Sequence, residues 1–223
     1  GIAMTGYIEQ LSRNKKGFIH LDDSLTVVNT KYENNLFSNY LIFPGSFNPL
    51  HDGHKKLLDS AALYTNKKPI YEISLTNVAK LNLSESELSI RIQQFKGKNQ
   101  LLITDEPTFF GKSKIFLGAD FLIGGDTLIR LFDTNYYENL TNIKEIYEHL
   151  IKLKNNGTRF IIGGRKVEDR YIDIGSVEIP AQIKEIFVQI QRDALSYTHL
   201  RAHETDSYLL CTHRREKKRG GGG

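Results

Sequence analysis

The stretch from Leu41 to Ala61, LIFPGSFNPLHDGHKKLLDSA, constrains the fold of this chain more than any other. An apolar run from Tyr40 to Phe43 predicts one short buried strand, and Pro44-Gly45-Ser46 ends that strand. Apolar side chains then recur at helical spacing from about Gly53. The pattern therefore predicts a strand, a glycine-containing loop and a helix that leaves the loop.

The start of this predicted helix suits an anion. A helix N-terminus presents unpaired N–H groups and the positive end of its dipole, and Gly45 would let a phosphate approach the backbone closely. His51 and His54 are three residues apart, so both imidazoles can converge on one object. Imidazoles at this place can donate hydrogen bonds to phosphate oxygens and stabilise the charge that develops in phosphoryl or nucleotidyl transfer.

Two other interpretations of the histidine pair stay open. A pair with HxxH spacing can bind zinc, but no third ligand follows at a suitable spacing, and the cysteines of a structural zinc site are absent. Two surface histidines are the other alternative, because HxxH alone is a weak motif. The pair lies within GxFNPxHxGH, between a predicted strand and a predicted helix, and that context favours function.

Residues 45–54, GSFNPLHDGH, resemble the signature of the HIGH-motif nucleotidyltransferases. The tripeptide Phe47-Asn48-Pro49 is more similar to the motif of nicotinamide-nucleotide adenylyltransferases than to that of cytidylyltransferases or pantetheine-phosphate adenylyltransferase. The resemblance implies an α/β fold, namely a Rossmann-like parallel sheet with helices on both faces, preceded by a short β-rich fragment. It also implies transfer of AMP from ATP to nicotinamide or nicotinate mononucleotide, which gives a dinucleotide and pyrophosphate, with Mg²⁺ acting together with ATP.

Segments at other predicted strand ends are similar to that family. The strand over residues 70–75 runs into Thr76, Asn77 and Lys80, where the family has polar groups and a lysine near its substrates. The strand that begins at residue 121 runs into Gly124-Gly125-Asp126, similar to a GxD segment that contacts the ATP ribose and adenine. The strand over residues 160–164 precedes an arginine, as in the family.

Each of these assignments has a plainer alternative. Lys80 could be a solvated loop lysine, Asp126 could be the N-cap of the following helix, and Arg165 could be an ordinary surface residue. The resemblance implies two catalytic histidines, a set of ATP- and phosphate-binding residues and a set of acceptor-binding residues, with no metal ligand. The catalytic histidines are His51 and His54. The ATP- and phosphate-binding residues are Gly45, Ser46, Phe47, Lys80, Gly125, Asp126 and Arg165. The acceptor-binding residues are Asn48, Thr76 and Asn77.

Composition places the chain among globular proteins and argues against nucleic acid as a partner. Its 223 residues carry a formal net charge of +4, but six Lys or Arg and three acids after Leu195 supply +3 of this. No apolar run approaches the roughly 18 residues of a membrane span. Cys211 is the only cysteine and lies after residue 195, so we expect no disulfide and a cytoplasmic setting.

We expect three regions along the chain. Residues 1–38 form a β-rich fragment with strands at 17–21 and 24–28, and GIAMTG is similar to the end of a CinA-like amidase domain, found fused upstream of such enzymes. A simple β-hairpin extension is the alternative. Residues 39–195 form the nucleotidyltransferase domain. Residues 196–223 resemble a translated sequencing adapter and are expected to be a non-native tail.

Further helices are predicted between the strands. Ser84 and Glu87 form a capping box that opens one helix, and residues 108–117 form another that carries Gly111-Lys112-Ser113. This GKS is not a P-loop, because Glu106 stands where the first glycine would be. Residues 142–153 form an amphipathic helix with a solvated His149, and residues 180–190 form a last helix.

The chain departs from the family at one segment. The family continues into ISSTxxR, whose serine, N–H groups and arginine bind the ATP phosphates, and no such segment occurs here. Together with the start Gly1-Ile2-Ala3-Met4, this leads us to expect a fragment with weak or no turnover. The alternatives are a transferase for another phosphorylated acceptor and a nucleotide-binding module without activity. Neither the acceptor nor the oligomeric state follows from the sequence.

Overall fold

The structure is a computed structural model, and it describes residues 6, 11, 17–79, 84–163, 165–167, 170–172 and 174–190. Lys80 and the predicted tail at residues 196–223 lie outside the described residues, as does the side chain of Arg165. Among the helices that the structure describes, none has both the length and the apolar character needed to cross a membrane.

Helices and strands alternate along most of the described chain. The strands are β1 (Phe18–Leu21), β2 (Val27–Asn29), β3 (Tyr40–Pro44), β4 (Lys68–Ser74), β5 (Leu101–Thr104), β6 (Asp120–Gly124), β7 (Arg159–Gly163), β8 (Arg165–Val167), β9 (Arg170–Ile172) and β10 (Phe187–Gln189). The helices are α1 (Asp52–Thr65), α2 (Leu75–Ala79), α3 (Glu85–Gln93), α4 (Phe109–Ile115), α5 (Gly125–Leu131) and α6 (Ile143–Asn155). Short 3₁₀ helices occur at Thr134–Tyr136, Ile174–Ser176 and Ala181–Ile186.

Eight strands form one sheet in the order β10-β7-β6-β3-β4-β5-β1-β2. The six strands from β10 to β5 are parallel, while β1 and β2 add an antiparallel hairpin at one edge. The chain runs from β3 outward through β4 to β5 and then crosses to β6 on the other side of β3. This reversal makes the carboxyl ends of β3 and β6 the place where an open α/β sheet binds its ligand.

Both faces of the sheet are covered, as the sequence predicted. Leu41 and Phe43 of β3 belong to one apolar core, and Ile42 between them belongs to the other, since successive side chains of a strand point to opposite faces. Helices α1 and α3 pack on the first face, and α4, α5 and α6 pack on the second. The predicted Rossmann-like α/β fold is therefore confirmed.

The helix starts follow from short polar side chains. Ser84 caps α3 by accepting a hydrogen bond from the N–H of Glu87 at 3.2 Å, which is one of the two bonds of the predicted capping box. Thr108 caps α4 through the N–H of Gly111 at 3.0 Å. Asn142 caps α6 in the same way. These caps place each helix within a few residues of its predicted start.

Two predictions about local structure are wrong. The helix predicted over residues 180–190 is instead a short 3₁₀ helix followed by β10, which pairs in parallel with β7. Its residues Ile186 to Ile190 are a short, largely apolar run, and Phe187 and Val188 pack on opposite faces, as in a buried parallel strand. His149, predicted to be solvated, is 8% exposed because it lies on the buried face of α6.

The β1–β2 hairpin belongs to the main sheet. β1 pairs antiparallel with β5 along its whole length, and Phe18 is fully buried against the rings of Phe37 and Phe116. The second strand begins at Val27, later than predicted, because Asp22 closes a turn by accepting hydrogen bonds from the N–H groups of Ser24 and Thr26. The predicted domain boundary near residue 38 stays a prediction.

Candidate functional site

Two histidines build the N-terminus of α1. His51 is the N-cap residue, and its Nδ1 accepts a hydrogen bond from the N–H of Gly53 at 3.0 Å. His54 is the third residue of the helix, and its Nδ1 accepts from the N–H of His51 at 3.1 Å. The two side chains form a reciprocal capping box, which usually needs Ser or Thr followed by Glu or Gln.

The two imidazole rings stack on each other. Their centroids are 3.8 Å apart and their planes differ by 26°. His54 is only 1% exposed and lies between the rings of Phe43 and Phe47, whereas His51 is half-buried. The two rings thus lie together, with His54 buried and His51 nearer to solvent, and their convergence on one ligand stays a prediction.

These contacts determine which nitrogen of each ring carries a proton. Because Nδ1 accepts a backbone hydrogen bond in both rings, a neutral ring holds its proton on Nε2. Both rings therefore present an N–H donor on the edge away from their own backbone bond. At the positive end of the dipole of α1, two such donors suit an anionic ligand.

The loop before α1, residues 45–51, is called the histidine loop here. Gly45 begins it, and a Cβ at this position would come within 2.9 Å of the Phe47 ring, so the absence of a side chain makes room for that ring. Phe47 turns inward with a positive φ of 48° and is 1% exposed. The N–H of Gly45 donates to the carbonyl of Glu72 at 3.1 Å. In this structure Gly45 therefore gives the Phe47 ring room to pack and extends the pairing of β3 with β4, while its predicted role towards a phosphate stays a prediction.

Helix α3 holds the histidine loop from outside. Arg91 donates from Nη1 to the carbonyl of Ser46 at 3.1 Å, and Gln94, which follows α3, donates from Nε2 to the carbonyl of Phe47 at 2.8 Å. Gln94 also accepts the N–H of Leu50 at 2.7 Å through Oε1. Burial lowers the pKa of the Arg91 guanidinium, although Glu87 opposes this effect. These contacts were not predicted, because they join residues more than forty apart in sequence.

A narrow cleft opens at the point where the strand order reverses. It lies between the ends of β3 and β6, with α4 and α5 at its sides, and its open space is about 10 Å³, room for about one water molecule. Its lining residues are Phe43, Pro44, Phe109, Leu122, Ile123, Gly124 and Thr127. Its lining is largely apolar, and the histidine loop continues directly from Pro44 at its rim.

Gly125 and Asp126 follow β6, beside this cleft. Helix α5 begins at Gly125 with Gly124 as its N-cap, so Asp126 lies in the first turn and does not cap the helix. The alternative interpretation of Asp126 as an N-cap is therefore wrong. Its carboxylate is half-buried at the carboxyl end of the strand next to β3, where a nucleoside hydroxyl could reach it.

Thr76 and Asn77 follow β4, on the other side of β3. Thr76 donates from its hydroxyl to the carbonyl of Asp105, and Asn77 donates from Nδ2 to the carbonyl of Pro107 at 3.4 Å. Both side chains thus attach α2 to the loop between β5 and α4. Asn77 is 4% exposed, and its Oδ1 has no hydrogen-bond partner among the described residues. Burial raises the pKa of the Asp105 carboxyl in the same loop.

Most of the predicted residues fall into three groups at one edge of the sheet, which is formed by the carboxyl ends of the parallel strands. The histidine loop with α1 brings Gly45, Ser46, Phe47, Asn48, His51 and His54 together, and Asn48 is exposed there. Gly125 and Asp126 lie after β6, and Thr76 and Asn77 lie after β4, the two strands that flank β3. The backbone of Arg165 lies in β8, directly after β7 at the same edge. The structure does not describe Lys80.

Candidate metal ligands do not cluster in the part of the chain that the structure describes. In that part of the chain, no group of three or more His, Cys, Asp or Glu side chains comes together in a way that could hold a metal ion.

A fully buried ion pair lies behind the cleft and was also not predicted. Lys112 of α4 donates to Oε1 of Glu72 in β4 at 2.8 Å, and neither side chain has any exposed surface. The sequence did contain a signal for it. Glu72 interrupts the apolar strand of residues 70–75, and Lys112 shares the helical face of Phe109 and Phe116. A charge in such a place requires a partner.

Comparison with known proteins agrees with this geometry. The family model described as Cytidylyltransferase-like matches residues 42–179, which is more than half of the chain. The chain therefore belongs to the cytidylyltransferase-like family and is a nucleotidyltransferase. The resemblance seen in GSFNPLHDGH is confirmed at this level.

A curated relative gives a more particular likeness. The chain is 29% identical, over 150 residues, to a protein of Fusobacterium nucleatum subsp. nucleatum described as a probable nicotinate-nucleotide adenylyltransferase. The aligned part covers 60% of this chain and 70% of the relative.

Proposed function

We propose that the chain transfers AMP from ATP to nicotinamide or nicotinate mononucleotide and releases pyrophosphate. The observation that carries the proposal is the stacked pair His51 and His54, each oriented by a backbone N–H at the start of α1. The pair stands beside the point where the strand order reverses, in a member of a nucleotidyltransferase family. The description of the Fusobacterium relative supports a mononucleotide as acceptor.

The reaction is a single displacement. A phosphate oxygen of the mononucleotide attacks the α-phosphorus of ATP and forms a new P–O bond, while the bond from that phosphorus to the α,β-bridging oxygen breaks. The electron pair of the broken bond leaves with pyrophosphate, so no covalent enzyme intermediate is needed. Catalysis then depends on positioning the reactants and stabilising charge, and Mg²⁺ would enter with ATP as part of the substrate and neutralise phosphate charge.

The described residues have distinct roles in this proposal. The Nε2 donors of His51 and His54 and the start of α1 bind the α- and β-phosphates and the leaving group. Gly125 and Asp126 bind the nucleoside of ATP beside the cleft. Asn77 lies on the side of β4, where the acceptor would approach. From the sequence alone, Lys80 and Arg165 are proposed to help bind phosphates.

The direct test is to incubate the chain with ATP and Mg²⁺ and with each mononucleotide in turn. The expected result is a dinucleotide and an equal amount of pyrophosphate with one or both acceptors. A long incubation and sensitive detection are needed, because the missing ISSTxxR segment predicts slow turnover. The proposed acceptors are excluded if neither mononucleotide gives a product while CTP as donor or pantetheine phosphate as acceptor does. The chain would then catalyse a different nucleotidyl transfer.

A nucleotide-binding module without turnover is the second candidate. The absence of ISSTxxR favours it, because that segment would supply several phosphate donors and an arginine. Calorimetry separates the two candidates. ATP binding without pyrophosphate release would favour the module, provided that release is still absent after an ISSTxxR-containing segment of a relative is fused after Leu195.

In either case, a chain body without cysteine supports a reducing, cytoplasmic setting.

A further inference from the structure

The buried ion pair behind the cleft is held from several directions. Lys112 contacts Oε1 of Glu72 at 2.8 Å, and the hydroxyl of Thr104 donates to Oε2 at 2.6 Å. All three residues are fully buried. The carboxylate of β4 is thereby tied to α4 through one oxygen and to β5 through the other, which leaves it little freedom to move.

The same residues touch the walls of the proposed site. The carbonyl of Glu72 accepts the N–H of Gly45, the first residue of the histidine loop, at 3.1 Å. Lys112 lies one turn after Phe109, which lines the cleft, and its ammonium is 5.6 Å from the centre of that ring. Glu72 therefore connects the histidine loop, through its main chain, with the α4 wall of the cleft, through its side chain.

Stability alone gives a weak reason for such a pair. Removing two charges from water is costly, and well-packed apolar residues often fill the same space without loss of stability. An ion pair with an additional hydrogen bond differs from an apolar contact because it depends on direction and distance. It can therefore fix the separation between two elements, which apolar packing does less strictly.

We infer that Glu72 and Lys112 are positioning residues, which set the distance between the histidine loop and the Phe109 wall of the cleft. The inference rests on the proposed function for its activity measurement. A reactant misplaced by about 1 Å can lose about a hundredfold in rate, so a small change in this distance would reduce transfer.

The experiment compares Lys112→Met with the double variant Glu72→Gln/Lys112→Met. The single variant leaves a buried carboxylate without its cation and should lower Tm strongly. The double variant removes both charges and should recover most of this loss. Its kcat for dinucleotide formation should nevertheless stay at least about tenfold below that of the unmodified chain, because the directional contact is gone.

A surface pair provides the matched control. Lys154 of α6 and Glu185 of the 3₁₀ helix Ala181–Ile186 form an ion pair at 2.7 Å, with side chains 36% and 68% exposed. The double variant Lys154→Met/Glu185→Gln should leave both Tm and kcat nearly unchanged. A second readout is the two-bond ¹H–¹⁵N spectrum of the His51 and His54 rings, whose signals should shift in the buried-pair double variant and stay in place in the control.

Each outcome decides the question. If the buried-pair double variant regains both Tm and kcat, or fails to fold, then the pair serves only the fold, and the inference is overturned. If no dinucleotide forms, even from a chain with an ISSTxxR-containing segment fused after Leu195, the proposed function fails, and the ring signals of His51 and His54 decide alone. Shifted signals in a folded double variant then support positioning, and unchanged signals exclude it.

Discussion

At the residue scale, His51 and His54 each do two things with one ring. Nδ1 completes the capping of α1, while Nε2 is the proton donor of a neutral ring. The HxxH spacing could predict that both rings share one side of a helix. It could not predict the stacking or the bonded nitrogens, because these depend on the extended backbone of His51 at the N-cap.

Capping and catalysis can be separated at these two positions. Asn is a good N-cap residue and Gln is suited to the third helical position, so His51→Asn and His54→Gln keep an acceptor for the capping bonds but remove the imidazoles. We expect each variant to change stability by only about 1 kcal/mol and to lower kcat/KM about a hundredfold. Urea unfolding and the pyrophosphate assay measure the two effects. An unchanged rate would mean that the rings serve only the helix.

His149 makes stability depend on pH. Burial lowers its pKa from 6.5 to about 4, and Lys152 adds to this effect. The unfolded chain therefore takes up a proton more readily, so stability is fully present above pH 6.5 and is lost as the pH falls towards 4. The difference between the two pKa values corresponds to a loss of about 3 kcal/mol in the free energy of unfolding at acid pH.

The variant His149→Leu tests this dependence. Nε2 of His149 has no partner among the described residues, so an apolar side chain between Phe110 and Tyr137 should preserve stability near neutral pH. Urea unfolding from about pH 7 to about pH 4.5 should show a smaller decline for the variant. His20→Leu is a useful comparison, because burial also lowers the pKa of His20. A decline equal to that of the unmodified chain would assign the effect to other groups.

At the element scale, α3 serves as an external support for the histidine loop. Its existence could be predicted from Ser84 and Glu87, since a capping box is a local pattern. Its attachments could not, because Arg91 and Gln94 reach backbone carbonyls that only the fold brings near. The same holds for β10, whose pairing with β7 outweighs the helical interpretation of residues 180–190.

Gln94→Ala tests the support by α3. The change removes a donor to the Phe47 carbonyl and an acceptor for the Leu50 N–H, so both become unsatisfied in a partly buried place. We expect a loss of about 1–3 kcal/mol in the free energy of unfolding and a higher KM for ATP. Gln93→Ala is the matched control, since Gln93 is the exposed neighbour and should be silent. Equal effects of the two variants would contradict the support of the histidine loop by Gln94.

At the scale of the whole molecule, the parallel sheet follows from alternating strand and helix patterns, which are strong in this sequence. The strand order, and with it the point of reversal, does not follow from those patterns. The place of the N-terminal hairpin was harder to predict. Pairing of β1 with β5 links residues about eighty apart, and the burial of Phe18 depends on Phe37 and Phe116. Local sequence patterns contain no information about contacts between residues so far apart in the chain.

Two shortened chains test the predicted division of the molecule. A chain that starts at residue 39 loses Phe18 and Phe37 and uncovers the edge of β5. Truncating one buried Phe to Ala typically costs about 3–5 kcal/mol, so we expect the shortened chain to melt much earlier or to associate. A chain that ends at residue 195 should keep its Tm. An unchanged Tm for the first chain would make residues 1–38 a separate domain.

The late position of β10 has a consequence for biosynthesis. β7 is fully buried at Phe160, Ile161 and Ile162, and one of its edges is completed only by residues 187–189. While the ribosome still holds these residues, a nascent chain would display an apolar strand with unpaired N–H and C=O groups. A translational pause in this interval would expose the polypeptide to aggregation, so chaperone demand should be greatest just before β10 emerges.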